Sequence, residues 1–454
     1  MSKSDNQILT GTIWKQLLLF FFPILIGTFF QQMYNTIDAV IVGQFAGKEA
    51  LSSVGGASGQ IINLVVGFFT GLTAGGSVLI SQFYGAGERE KLQDALHTSY
   101  GFGIVGGIVL GIVGVFAAPF ILRIMNTPDE LLPMASLYVR IYFSGIFFVF
   151  IYNMGSSILR ALGDSKRPLY YLMICSVVNI VLDLLLVLGL KLGVMGVAIA
   201  TLISQAVSAV MVTLALMYRT NGLKLYLNKI HMDPKMLRTI CGIGLPSGVQ
   251  SSMYSISNMI IQSSINLLGV DTMAAWVAYG KIDALFWMIN SSFGVAAVTF
   301  VGQNFGAGNM NRVRKGTRIT LWMAMGAAVF MSTVVVVSGR FLMGFFTTDP
   351  NVVEIGMTMV HIIAPAYLIF VFIEIFSSSL RAQGYTLITT IISLLGICGF
   401  RILYINVFSD GSIRMISYCY PISWLISAVA VTAYYIYKQK RIEQSLSLRS
   451  KTVS

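Results

Sequence analysis

Six ionisable side chains fall inside long apolar stretches of this 454-residue chain: Asp38, Asp183, Lys281, Asp283, Glu374 and Arg401. Charge is costly in hydrocarbon, so residues kept there mark ion or substrate pathways, proton relays or compensating pairs. Asp38 lies nine residues before Gly47, Asp183 eight before Lys191, and Thr201 eight after Gly193. At a helical rise of roughly 1.5 Å per residue, all three reach about 12 to 14 Å from the corresponding ends of their helices. Two carboxylates at one depth tend to share a proton or a cation, because both cannot stay charged and unpaired in a low dielectric. Asn179 precedes Asp183 by one helical turn, and Tyr34 precedes Asp38 by one turn. Each acid therefore has a neighbour able to hydrogen-bond it or ligate an ion. Asp38, Asn179 and Asp183 could hold a sodium ion or a proton. The structural alternative is that the two acids bridge helices and never titrate.

The other four charges follow a different plan. Asp283 lies twelve residues from Asp271 and Arg401 nine from Asp410, which puts them at similar depth as a candidate charge-compensated pair. A role in substrate or proton handling is the competing reading. Lys281, two residues from Asp283, faces elsewhere on a helix and is a poor partner. Glu374 stands seven residues before Arg381, and either attracts cationic substrate in a cavity or bonds one helix to another. Phe29, Phe30, Trp276, Phe286 and Trp287 could line a cavity for planar cations, although aromatic residues at helical spacing more often simply pack.

The elements that hold these residues follow from composition. Hydrophobic residues make up 56% of the chain and charged ones 11%, against roughly 25% charged in a soluble domain. This predicts an all-α polytopic membrane protein. Twelve stretches are long enough to span a bilayer core, which takes about 20 residues each. They lie near residues 15–44, 52–83, 93–117, 131–159, 168–190 and 194–217, then 238–268, 274–304, 316–337, 353–380, 385–408 and 413–437. The chain also repeats itself. Gln82-Phe83-Tyr84-Gly85-Ala86-Gly87 recurs as Gln303-Asn304-Phe305-Gly306-Ala307-Gly308, Leu159-Arg160-Ala161-Leu162-Gly163 recurs as Leu380-Arg381-Ala382-Gln383-Gly384, and Pro23 is matched by Pro246. Two homologous halves follow: an N-lobe at 1–217, a basic connector at 218–237, a C-lobe at 238–437 and a tail at 438–454. Such duplication is how transporters build two bundles that rock around a site. The acids at 38 and 183 have no copy, because Asp38 falls among Met259, Ile260 and Ile261 and Asp183 on Tyr404, while Glu374 corresponds to Asn153.

Most of the 30 basic residues, including Lys166, Arg167, Arg219, Lys224, Arg314 and Lys440, fall on the side that carries both termini. The opposite side has Lys48, Arg123, Lys191, Arg340 and Arg414. By the positive-inside rule both termini are cytoplasmic, in the cell (plasma) membrane. The net charge of +12 then reflects topology and anionic lipid rather than a nucleic-acid partner. Cys175, Cys241, Cys398 and Cys419 show no metal-ligand spacing. No phosphate loop, Ser/His/Asp set or aspartate-rich diphosphate motif is present, which argues against an ATP-driven pump and against a membrane enzyme.

Taken together and in order, Asp38 ahead of Val42-Gly43, Gln82 to Gly87, Leu159 to Pro168, Asn179 with Asp183, Gly193 to Thr201 and Gln303 to Gly308 resemble the multidrug and toxic compound extrusion (MATE) family. The resemblance covers residues 12 to 437. It implies twelve transmembrane helices in two six-helix lobes forming a V, and efflux of organic cations or other amphipathic compounds by antiport against protons or sodium. It implies no cofactor and a monomer. Tyr34, Asp38, Asn179, Asp183 and Thr201, and Asn153 beside them, fall on positions like those of the family's N-lobe cation cluster. Where one branch carries C-lobe acids, this chain has Tyr254 and Phe370, so it looks closer to the DinF-like branch. A lipid-linked oligosaccharide flippase of the same superfamily is the alternative, but its cavity is usually strongly cationic.

Overall fold

The computed structural model describes residues 6–125, 127–218, 223–408 and 411–453; Arg219 and Asp410 lie outside these residues. Among the described residues twelve long helical elements follow one another, with a short helix at Lys48–Gly55 between the first two and a 3-10 turn at Leu227–Lys229 before the seventh. They are α1 (Ile13–Ala46), α2 (Ala57–Ala86), α3 (Arg89–Ile124), α4 (Leu132–Ser144 with Ile146–Ala161), α5 (Lys166–Gly189) and α6 (Gly193–Tyr218), then α7 (Pro234–Asn266), α8 (Val270–Gly306), α9 (Met310–Gly344), α10 (Pro350–Ala382), α11 (Thr386–Phe408) and α12 (Ile413–Val453). Ten of them, plus the two segments of α4 bent by 46°, are long and apolar enough to cross a membrane. The remaining element, α7, has 33 residues, and Ser247, Gln250, Ser251, Ser252, Ser255 and Gln262 dilute its apolar character. The protein is a polytopic all-α membrane protein. Phe116 at 79% and Phe120 at 68% exposure show why: side chains like these need lipid around them.

The chain divides into two compact units, Met1–Ser252 with Gly302–Asn309, and Met253–Val301 with Met310–Ser454. In the first, α1 packs on α5, α5 on α6, and α3 on both segments of α4. In the second, α10 packs on α9 and α12.

The duplicated motifs are helix terminators. Gly87 and Gly308 both adopt φ +77°, and Gly163 and Gly384 adopt +99° and +88°, a left-handed conformation that glycine alone enters freely. The amide after each of these glycines donates back to a carbonyl of the last turn: Glu88 to Phe83, Asn309 to Asn304, Asp164 to Leu159 and Tyr385 to Leu380. This is the six-to-one closure of a Schellman motif.

The Gln and first Gly of the longer motif have a separate task. A Cβ on Gly85 would stand 1.9 Å from the Gln303 carbonyl oxygen, and one on Gly306 would stand 1.9 Å from that of Gln82. The ends of α2 and α8 therefore cross backbone to backbone in a reciprocal contact inside the first unit. Gln303 Nε2 donates to the Ala161 carbonyl at 2.7 Å, Asn304 Nδ2 donates to the Ile8 carbonyl, and Asn6 Nδ2 donates to Gln303 Oε1 at 2.9 Å. The short helix Gln7–Thr10 is thereby tied to the same crossing. Also on α2, Gly71 and Gly75 meet the α7 backbone at Gly248 and Ile240.

Candidate functional site

Asp38 sits in the last α-helical turn of α1, immediately before a π-helical segment at Val42–Ala46. Asp183 is the final α-helical residue of α5, before a second π segment at Leu184–Gly189. Such widened turns are rare and concentrate at functional positions. Nothing in the apolar periodicity announced them. Each widens its helix just past an acid, and α1 packs on α5 so that the Asp38 and Asp183 carboxyls come close enough for their charges to interact.

The remaining polar groups come from α5 and α6, which also pack together. Asn179 and Asp183 are fully buried, Thr201 is 7% exposed and Tyr34 is 9% exposed. Asp38 Oδ1, both carboxyl oxygens of Asp183, both polar atoms of the Asn179 amide and the Thr201 hydroxyl find no hydrogen-bond partner among the described residues. Buried polar atoms are nearly always paired, so a concentration of orphans in one region points to a ligand. The donors available, carboxylate, amide and hydroxyl oxygens, suit a hard monovalent cation or a proton. The same helices, with α4, build a buried apolar cluster that includes Ile41, Val42, Phe143, Val187, Val194 and Val197. Tyr138 of α4, which the sequence pattern did not single out, lies within electrostatic reach of both acids. Asn153 differs from this group in that its amide nitrogen donates to the Val149 carbonyl of its own helix at 2.8 Å.

The charges of the second unit do not pair as expected. Asp283 accepts from Tyr367 and Trp287 Nε1 at 2.6 Å each, and from Tyr279 at 3.3 Å. Arg401, 5% exposed, donates Nε–H to the Ser423 hydroxyl at 3.2 Å and stacks over the Tyr420 ring at 4.0 Å. Neither forms an ion pair among the described residues, because aromatic donors take up the carboxylate and an aromatic face takes the guanidinium. Both line one cavity of about 390 Å³ whose walls include Tyr254, Trp276, Trp287 and Phe370. Trp276 and Trp287 are thus cavity residues, whereas Phe286 is stacked on Tyr367 with ring centroids 3.9 Å apart, and Phe29 is 46% exposed. Lys281 is exposed and takes no part in the cavity wall. Glu374 is partly buried; it accepts from Ser378 at 3.2 Å and presses on α8 where Gly294 leaves room, a Cβ there falling 2.1 Å from its Oε1. Its hydrogen bond therefore stays within α10, and its contact with α8 is one of packing. The four cysteines are unpaired, three of them buried, and Cys175 Sγ donates to the Ser204 carbonyl.

Comparison with known proteins places this geometry. Solved structures similar to the chain include an outward-facing multidrug resistance MATE family transporter of the MOP superfamily, at 21% identity and a TM-score of 0.89, covering 96% of this chain and 98% of that one. A MOP superfamily transporter from Pyrococcus furiosus, described as having a binding pocket of reversed polarity, matches at 20% identity with the same TM-score and coverage. At such identities the likeness shows the fold. Among curated relatives, the probable multidrug resistance protein YoeA of Bacillus subtilis is 28% identical over 95% of this chain and 96% of its own length. The probable multidrug resistance protein NorM of Thermotoga maritima is 25% identical over 85% of this chain and 83% of its own. The MatE description matches twice, over residues 23–185 and 246–406, one copy in each half of the sequence repeat. The chain belongs to the MatE family.

Proposed function

We propose that the protein is a secondary antiporter that expels small organic, mainly cationic, compounds across the cell membrane in exchange for protons or sodium. Membership of a family of transporters makes it a carrier rather than an enzyme, and relatives named as multidrug resistance proteins support the substrate class. The observation that carries the coupling is the group of unpartnered buried polar atoms on Asp38, Asn179, Asp183 and Thr201. With an ion or proton bound, the carboxyl pair is compensated and can tolerate a dry surrounding. Without it, two like charges in one apolar shell favour an arrangement that admits water. That difference between loaded and empty forms is what alternating access requires. Tyr34 and Tyr138 lie within electrostatic reach of the acids. The basic residues clustered on the side of the termini support an orientation with both ends cytoplasmic.

Purified protein in liposomes, loaded with a fluorescent cation and given a proton gradient or a sodium gradient separately, tests this directly. Efflux driven by one gradient identifies the ion. Efflux indifferent to both overturns antiport.

A further inference from the structure

Helices α11 and α12 of the second unit carry buried hydroxyls of two kinds. Thr389, Ser417 and Ser423 donate to a carbonyl three or four residues back in their own helix, as serine and threonine commonly do there. Thr386, Thr390, Ser393 and Ser427, none more than 3% exposed, have no hydrogen-bond partner among the described residues. The first three recur at intervals of four and three, which puts them on one face of α11. Ile397, four residues further along that face, lines the second-unit cavity together with Arg401. Arg401 in turn donates to the Ser423 hydroxyl, and one turn along α12 from Ser423 the Ser427 hydroxyl abuts α11 at Gly396, which has no side chain to meet it. The other face of α11, with Leu387, Ile388, Ile391 and Leu395, is exposed and apolar. The helix thus turns hydrocarbon to the lipid and hydroxyls to the protein interior.

Buried polar atoms left unpaired are rare and costly, so four in one seam that leads to a cavity call for a ligand. Side chains three and four residues apart on a helix stand about 5–6 Å apart at Cβ. That is too far for one hydroxyl to bond the next, but a water with a hydrogen bond of about 2.8 Å on each side spans it. No acid lies on α11, or on α12 before Glu443, so neither helix offers a bound cation its counter-charge along the seam. At the spacing that pairs Gly163 with Gly384, the first-unit counterparts of Thr390 and Ser393 are Leu169 and Leu172, whose methyl groups lie against Gly27 of α1. The corresponding face of the first unit is apolar.

We propose that a file of buried water occupies this seam and joins the cavity to the α10–α11 turn, where Thr386 stands two residues after the exposed Gly384. The file lets water enter and leave the cavity along the second unit as a ligand is exchanged, apart from the acids of the first unit. It stands whichever ion drives transport.

Water-edited solid-state NMR on the full ¹³C-labelled chain in lipid bilayers tests this, with Thr386, Thr389 and Thr390 assigned through their backbone correlations. Thr389 is the internal control, being as buried as its neighbours but bonded within its helix. Polarisation from water should reach Thr386 and Thr390 at mixing times at which Thr389 still shows no signal. Ser393→Ala should lower the Thr390 signal and leave Thr389 unchanged. Equal build-up at all three threonines of the unaltered protein overturns the inference. So does a signal at Thr386 alone, which would mean water at the helix end only, and so does an unchanged Thr390 signal in folded Ser393→Ala.

Discussion

Asp38 and Asp183 face each other from α1 and α5 with orphaned oxygens, and each has a distinct expected phenotype. Asp38→Asn should reduce gradient-driven efflux to the level of empty liposomes while the protein still inserts and elutes as a single species. Asp183→Asn should do the same. Because the two acids act as a unit, the double variant should transport no worse than either single one. Independent, multiplicative losses in initial rate would contradict a shared ion. Asn153→Ala should leave coupling intact, since its amide is already used by Val149.

Helix ends and crossings make predictions at the scale of elements. Gly85 and Gly306 let α2 and α8 cross at van der Waals contact between backbones, with no room for a Cβ against Gln303 or Gln82. Gly85→Val or Gly306→Val forces backbone apart, and overpacking of this kind costs about 1–3 kcal/mol. Thermal unfolding followed by tryptophan fluorescence should register a lowered midpoint for both, and an unchanged midpoint would mean that the crossing is not a packed contact. Gly308 at φ +77° has open space around it, so Gly308→Ala should lose only the left-handed strain of about 1–2 kcal/mol. Comparing the substitutions at 306 and 308 separates steric from conformational cost within one motif.

At the scale of the whole molecule, the asymmetry of the halves assigns different work to each. No acid in the second half stands at the repeat positions of Asp38 or Asp183, and Asp283 has three hydrogen-bond donors where the first-unit acids have orphaned oxygens. Asp283→Asn should therefore leave the proton or sodium dependence of simple-cation efflux in place, even where substrate affinity changes. If neutralising Asp283 abolishes response to the gradient in a folded protein, ion coupling extends to the second unit.

Class, repeat and the main acids could be read from the sequence because each depends on local chemistry. Sustained apolarity demands lipid, a Gly after a long helix demands a left-handed turn, and two acids at one depth are visible by counting residues. The structure bears out the polytopic helical class and shows the repeated glycines ending their helices. What tertiary structure alone decided is which neighbour each polar group meets. Asp283 and Arg401 lie at similar counted depths, yet Tyr367 and Trp287 on one side and Tyr420 on the other intercept them before they can pair. Gln303 looked like part of a helix end, and only the crossing of α2 and α8 revealed its bond to Ala161 and its backbone contact with Gly85. The π turns after Asp38 and Asp183 were equally hidden. Helix periodicity records which face is apolar; a one-residue widening and the identity of a partner far along the chain are set by packing between helices.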